Sequence, residues 1–196
     1  MIDEALDFLV LQLNEYFKLK TDEDKIVKMQ RLVTGAGAEV PLTNLIAFQL
    51  INVEEERIGK AQLPVTVPIG SGFPVRNPEI KLNLSILLTA CGDNDGNSPD
   101  TDYSMSVKLL SLAVLFFQHK HVFTQTNSPS LPTSIEQLIV ELYPVSLENQ
   151  NYLWASLGAK YRPSVVYKVR LITVFEEGFS DFVEMPRNID IGLANR

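Results

Sequence analysis

Apolar residues recur in the first stretch of the chain at the spacing of a helix. Ile2, Leu6, Leu9, Leu13 and Phe17 fall on one stripe, with Asp3, Glu4, Asp7 and Glu15 mostly elsewhere. Residues 2–17 therefore predict an amphipathic helix packed on the protein's own sheet. The early acids suit the positive end of the helix dipole. The period then changes. DKIVKMQRLV (24–33) reads as a strand closed by GAGAEVP, and NLIAFQLINVEEER (44–57) sets Ile46, Phe48 and Leu50 on one face. Ala47, Ile51 and Val53 make the other face of that second strand partly apolar, and its β-branched content favours strand over helix.

The clearest alternation is IKLNLSILLTA (80–90). Ile80, Leu82, Leu84, Ile86, Leu88 and Ala90 point one way, and Lys81, Asn83, Ser85 and Thr89 the other; only Leu87 breaks the pattern. One face of this strand is expected to be buried. The segment before it, 58–79, carries Pro64, Pro68, Pro74 and Pro78 with Gly70 and Gly72, and reads as a projecting loop or hairpin arm. CGDNDGNSPDTD (91–102) follows the strand as a turn-forming loop.

A second helix is expected over about 102–119, capped by Asp100, Thr101 or Asp102. Met105, Leu109, Leu112 and Phe116 recur in it beside Ala113 and Phe117. Leu110, Val114 and Leu115 widen its stripe and predict burial on more than one side. After the loop TQTNSPSLPTS, IEQLIVELYP (135–144) alternates through Leu138, Val140 and Leu142 until Pro144. Ser146 opens a third helix that Gly158 ends.

YRPSVVYKVRLITVF (161–175) is the longest strand-like run. Tyr161, Pro163, Val165, Tyr167, Val169, Leu171 and Phe175 form an apolar face. The even positions begin polar, with Arg162, Ser164, Lys168 and Arg170, then turn apolar at Ile172 and Val174. The order is helix, two or three strands, helix, strand, helix, strand. It defines an α+β domain over 1–175: a mostly antiparallel or mixed sheet flanked by about three helices, with a loosely ordered tail at 176–196.

Composition narrows the function. The 196 residues are 45% hydrophobic and 21% charged, as in an ordinary globular protein. A net charge of −7 argues against nonspecific nucleic-acid binding, which needs a basic surface. Cys91 is the single cysteine, so no intrachain disulfide can form, and the composition suits a reducing compartment. Acids stand where a signal peptide needs positive charge. No apolar run nears the roughly 20 residues of a membrane-spanning helix. The expectation is a cytoplasmic protein without direct membrane insertion.

Candidate chemistry is sparse. Asp93, Asp95, Asp100 and Asp102 crowd one loop, but its glycine and glutamate spacing fails the calcium-loop pattern, and a solvated turn with a helix cap accounts for it. His119 and His121 are the only histidines and fall short of the ligand count of a structural zinc site. Cys91 has no evident base in sequence, TGAGAE lacks a nucleotide-binding fingerprint, and no G-x-S-x-G elbow exists. No catalytic, cofactor-binding or metal-binding residues are assigned, and the chain is not expected to be an enzyme.

Two segments carry a family resemblance. RNPEIKLNLSILLTAC (76–91) and YLWASLGAKYRPSVVYKVRLITV (152–174) resemble segments of the tail-terminator or cap proteins of contractile injection systems of the antifeeding-prophage and virulence-cassette type. Asn77-Pro78, Leu82-Asn83-Leu84, Trp154 and Arg162-Pro163-Ser164 match in order and spacing; Ser85 stands where an aromatic is usual. The first helix and LINVEEER (50–57) fit the same order of elements, so the resemblance runs to about residue 175. Some members carry a further C-terminal region, and functions tied to it are not expected here.

The resemblance implies a single tail-terminator-like domain without enzymatic activity or cofactor. It implies a homo-oligomeric ring, expected to be a hexamer, that caps the distal end of the inner tube and contractile sheath of a phage-tail-like particle. Such a cap ends polymerisation and stabilises the extended sheath. Its partners would be other copies of itself and the sheath and inner-tube proteins, assembled in the cytoplasm. The arm at 58–79 and the tail at 176–196 would reach neighbours. Alternatives are another tail or baseplate adaptor, or a small metal-dependent enzyme built on the 93–102 acids or His119 and His121. The cations of the last strand, Arg162, Lys168 and Arg170, are the candidate subunit seam; the competing reading pairs them with nearby carboxylates.

Overall fold

The computed structural model describes residues 1–21, 23–56, 65–66, 72–76, 81–92, 99–173 and 180–184. In chain order the elements are α1 (Ile2–Thr21), β1 (Val27–Met29), β2 (Leu45–Glu55), β3 (Val65–Thr66), β4 (Gly72–Arg76) and β5 (Lys81–Cys91). Then come α2 (Pro99–His119), β6 (Val122–Thr124), β7 (Ile135–Tyr143), α3 (Leu147–Leu157), β8 (Ser164–Thr173) and β9 (Ser180–Glu184). Six strands form one sheet in the order β1-β2-β5-β8-β7-β6. Only β1–β2 is parallel; the other pairings are antiparallel, so the sheet is mixed, as expected.

The two central strands are the two clearest alternations in the sequence, β5 and β8. Helices α1 and α2 cover one face of the sheet. Leu9, Leu13 and Phe17 of α1 and Leu109, Ala113 and Phe117 of α2 meet Ile46, Phe48, Leu84, Ile86, Leu88, Tyr167, Val169 and Leu171 in one core. The stripe that predicted α1 is thus its buried face. On the opposite face Trp154 of α3 packs with Leu32, Leu42, Ala47, Leu87, Cys91 and Val166.

That second core corrects the expectation of one buried face for β5. Leu87, Thr89 and Cys91 are as buried as their neighbours, because α3 and the 30–42 segment close over the end of the strand. Leu87 therefore fits the pattern of a strand covered on both sides. Covering an apolar side chain of this kind stabilises by roughly 1.5–3 kcal/mol.

Other differences are local. The strand expected over 24–33 contracts to Val27–Met29; Lys25 before it sits at φ 63°, and the chain after it turns back through a Val33–Glu39 bridge. β6 was not expected, since three residues are too short to show a period. Val107 and Leu115 of α2 are exposed, which corrects the broad burial inferred from its wide apolar stripe.

Strands β3 and β4 lie in the Pro- and Gly-containing 58–79 segment and pair as a hairpin, and β4 also pairs with β9. β9 falls within 176–196, so a three-stranded sheet joins the two segments expected to be arms. The remaining residues of both segments lie outside the described set.

Candidate assembly interface

Strand β8 carries Lys168 and Arg170, with Arg162 just before it, and the register decides what each can do. Tyr167, Val169 and Leu171 enter the α1/α2 core, while Val166 faces Trp154. Lys168 and Arg170 share the Val166 side of the sheet by alternation. They lie toward the end of β8 remote from Trp154's partners Leu87 and Cys91, and both are half-buried.

Across the sheet, Arg170 is registered with Asn83 on β5 and Ile139 on β7, and Asn83 in turn with Glu54 on β2. One rung away, Lys168 is registered with Ser85 and Glu141, and Ser85 with Asn52. This half of the sheet face is therefore polar and of mixed sign. Glu56 gathers two of its groups. The Asn83 amide, in a residue only 6% exposed, donates to Glu56 Oε2 at 3.0 Å. Arg170 Nε lies 3.9 Å from the same oxygen, an ion pair too long for a hydrogen bond.

Lys168 is differently placed. Among the described residues it makes no ion pair or hydrogen bond. It lines a groove of about 310 Å³ with Ile51, Asn52, Glu54, Ser85, Tyr143, Val145, Leu153 and Val166. Tyr143, Val145, Leu153 and Val166 also border a second groove of about 240 Å³, whose remaining walls include Leu142, Pro144 and Trp154. The shared walls make one trough along the flank of α3, apolar at the Trp154 end and polar at the Lys168 end.

Arg162 is not part of this trough. It precedes β8 by two residues and stands six residues from Lys168, roughly 20 Å along an extended chain. Its Nη2 meets Glu39 Oε2 at 3.4 Å, and Glu39 Oε1 accepts from the backbone N–H of Lys160 at 3.2 Å. These groups line a polar cavity of about 420 Å³ with Cys91, Tyr103 and Ser106. Burial would by itself lower the Arg162 pKa; contact with the Cys91 thiol and Glu39 outweighs it and holds the guanidinium above its ordinary value.

The structure thus separates the three cations that the sequence placed on one seam. Arg162 and Arg170 hold Glu39 and Glu56, and Lys168 alone opens onto the trough. The acceptors were not legible because Glu39 lies 123 residues from Arg162 in sequence. The trough itself left one signal: the link from β7 to α3 offers Val145 beside Pro144, apolar where a connection would ordinarily be polar.

The other candidate residues do not converge. Ser106 lines the Cys91 cavity near the start of α2, whereas His119 is at its end, roughly 20 Å away along a helix axis. Asp93 and Asp95 lie outside the described residues. Among the described residues no group of three or more His, Cys, Asp or Glu is placed to hold a metal ion, and no helix is long and apolar enough to cross a membrane.

A mixed six-stranded sheet with α1 and α2 on one face and α3 on the other is the α+β class of the phage-tail terminators, and comparison with solved structures bears this out. The chain resembles the PVC sheath/tube terminator in the extended state of an extracellular contractile injection system. The TM-score is 0.59 and the identity 13%, over 100% of this chain and 65% of that one. It also resembles the anti-feeding prophage cap, a tube-terminating cap, with TM-score 0.58 and 13% identity over 91% of this chain and 58% of that one. The chain therefore spans less than two thirds of the length of either protein. No curated protein matches it. Residues 4–178 match the model of the Pvc16 N-terminal domain, and the chain belongs to that family.

Proposed function

We propose that this chain is a non-enzymatic cap of a phage-tail-like contractile injection system. It sits at the distal end of the inner tube and sheath, ends their polymerisation and stabilises the extended sheath. The observation that carries this reading is the fold, which overlaps a sheath/tube terminator over the whole chain, together with the family match over residues 4–178.

In this reading the chain acts as a homo-oligomeric ring, a hexamer, assembled in the cytoplasm and retained in the finished particle. A ring built by head-to-tail contacts is closed, so it presents no site for further growth. The trough along α3 is a subunit contact, with Lys168 at its polar end, while Arg170 and Arg162 hold Glu56 and Glu39 beyond it. The sheet of β3, β4 and β9 reaches toward tube and sheath subunits, because strands outside a main sheet offer edges that neighbouring chains can extend.

Purified chain added to tubes and sheaths growing from isolated baseplates tests the reading. The expected result is arrest of elongation, with the protein confined to one end of each tube. Incorporation along the length, or unchanged elongation with no bound protein, contradicts it.

A further inference from the structure

The six-stranded sheet ends on β1 and β6, and β2 runs on beyond Phe48, where its pairing with the short β1 stops. Edges of this kind offer N–H and carbonyl groups to a strand of another chain. Here an asparagine side chain stands at each of the three.

On β6 the pairing with β7 fixes which groups face outward. The Val140 N–H donates to the His121 carbonyl, so His121 and Phe123 face β7, and Val122 and Thr124 turn away from it. Asn127 takes their groups: its amide donates to the Val122 carbonyl at 3.0 Å, and its Oδ1 accepts from the Thr124 N–H at 3.0 Å. The hydroxyl of Ser128, a residue 3% exposed, donates to the same Oδ1 at 2.9 Å and fixes the amide in place. The Ser128 N–H takes the Thr124 carbonyl, also at 2.9 Å.

The other two edges follow the same logic. On β1 the Ile26 carbonyl and the Gln30 N–H bond to β2, so Val27 faces away, and both of its backbone groups bond to Asn14 of α1. On β2 the Glu56 N–H donates to the Lys81 carbonyl of β5, which turns Val53 outward. The Val53 N–H donates to Asn52 Oδ1 at 2.9 Å, beside the bulge between Leu50 and Asn52, and the Asn52 amide holds Glu54 Oε1 at 2.8 Å. An amide side chain donates and accepts at once, as a neighbouring strand would. A strand seeking the full length of any of these edges must first displace one.

We propose that Asn127, Asn14 and Asn52 close the edges of the six-stranded sheet against a second copy of this chain, so that copies associate only through other surfaces. The inference stands apart from the cap reading and from the number of copies in any assembly.

Sedimentation velocity of the full-length chain tests it, with the wild-type distribution as baseline. Asn127→Ala and Asn52→Ala alter exposed residues, and far-UV circular dichroism checks that the fold is kept. Each is expected to add species heavier than any wild-type form, strengthening association by roughly fivefold to tenfold, the worth of one or two freed hydrogen bonds. Thr124→Pro added to the first variant, and Val53→Pro added to the second, remove the freed N–H without removing a bond to β7 or β5. Each proline should return the distribution to the baseline. An unchanged distribution in an asparagine variant overturns the proposal for that edge. Heavier species that the proline fails to relieve overturn it as well, because they would arise from a loosened fold and not from strand pairing.

Discussion

Asn14 and Val27 clasp each other twice. The Asn14 amide donates to the Val27 carbonyl at 2.9 Å, and its Oδ1 accepts from the Val27 N–H at 2.8 Å. One side chain on α1 thus supplies both hydrogen bonds that the Val27 backbone, on the edge strand β1, would seek from a further strand. The clasp blunts that edge and ties the first helix to the sheet.

Asn14→Ala is expected to cost about 1–3 kcal/mol, because it leaves a buried N–H and carbonyl unpaired. Urea denaturation measures the loss, with exposed Asn149→Ala as control. A change below about 0.5 kcal/mol would show that water or a neighbour replaces the amide.

The ends of α3 hold the trough in place. The Ser146 hydroxyl accepts from the Asn149 N–H at 3.2 Å, and Gly158 ends the helix at φ 67°. Ser146→Ala should cost about 1 kcal/mol. Gly158→Ala should cost roughly 1–2 kcal/mol through its left-handed backbone alone, since an added Cβ meets nothing within 4 Å. Equal stability of the glycine variant and wild type would mean that the turn relaxes on substitution.

Burial pushes the Tyr167 hydroxyl up to about 12 from its ordinary 10. The neutral form is favoured in the fold, so this tyrosine leaves stability unchanged below pH 10. From pH 10 to about 12 the unfolded chain ionises first, and stability falls by up to roughly 1.4 kcal/mol per unit. Tyr167→Phe should flatten this alkaline loss in denaturant titrations; an unchanged slope would assign it to other groups.

Lys168→Gln should leave monomer stability within about 0.5 kcal/mol, since among the described residues the lysine makes no ion pair or hydrogen bond. It should weaken self-association measured by sedimentation. Arg162→Leu should act the other way, destabilising the monomer by about 1 kcal/mol through loss of the Glu39 contact and its packing. Unchanged association of the Lys168 variant would make that lysine an ordinary solvated charge.

What the sequence revealed follows the reach of each interaction. Helix α3 was legible from Ser146 and Gly158 because caps act within one turn, and β5 and β8 were legible because alternation is local. The burial of Leu87 and Thr89 was not, since the covering Trp154 lies more than sixty residues on. Partners of Arg162 and Arg170 were hidden for the same reason: Glu39 and Glu56 reach them only through the sheet. Exposure of Val107 and Leu115 was missed because a wide apolar stripe looks the same whether a chain's own core or a neighbour covers it.

The central claim is that this chain ends the tube and sheath. Deleting it from the particle that contains it, and measuring sheath lengths by electron microscopy with a complemented strain as reference, tests this most directly. The account predicts tubes and sheaths of irregular length, or sheaths already contracted, and restoration of uniform extended particles on complementation. Extended sheaths of normal and uniform length without the protein would contradict it.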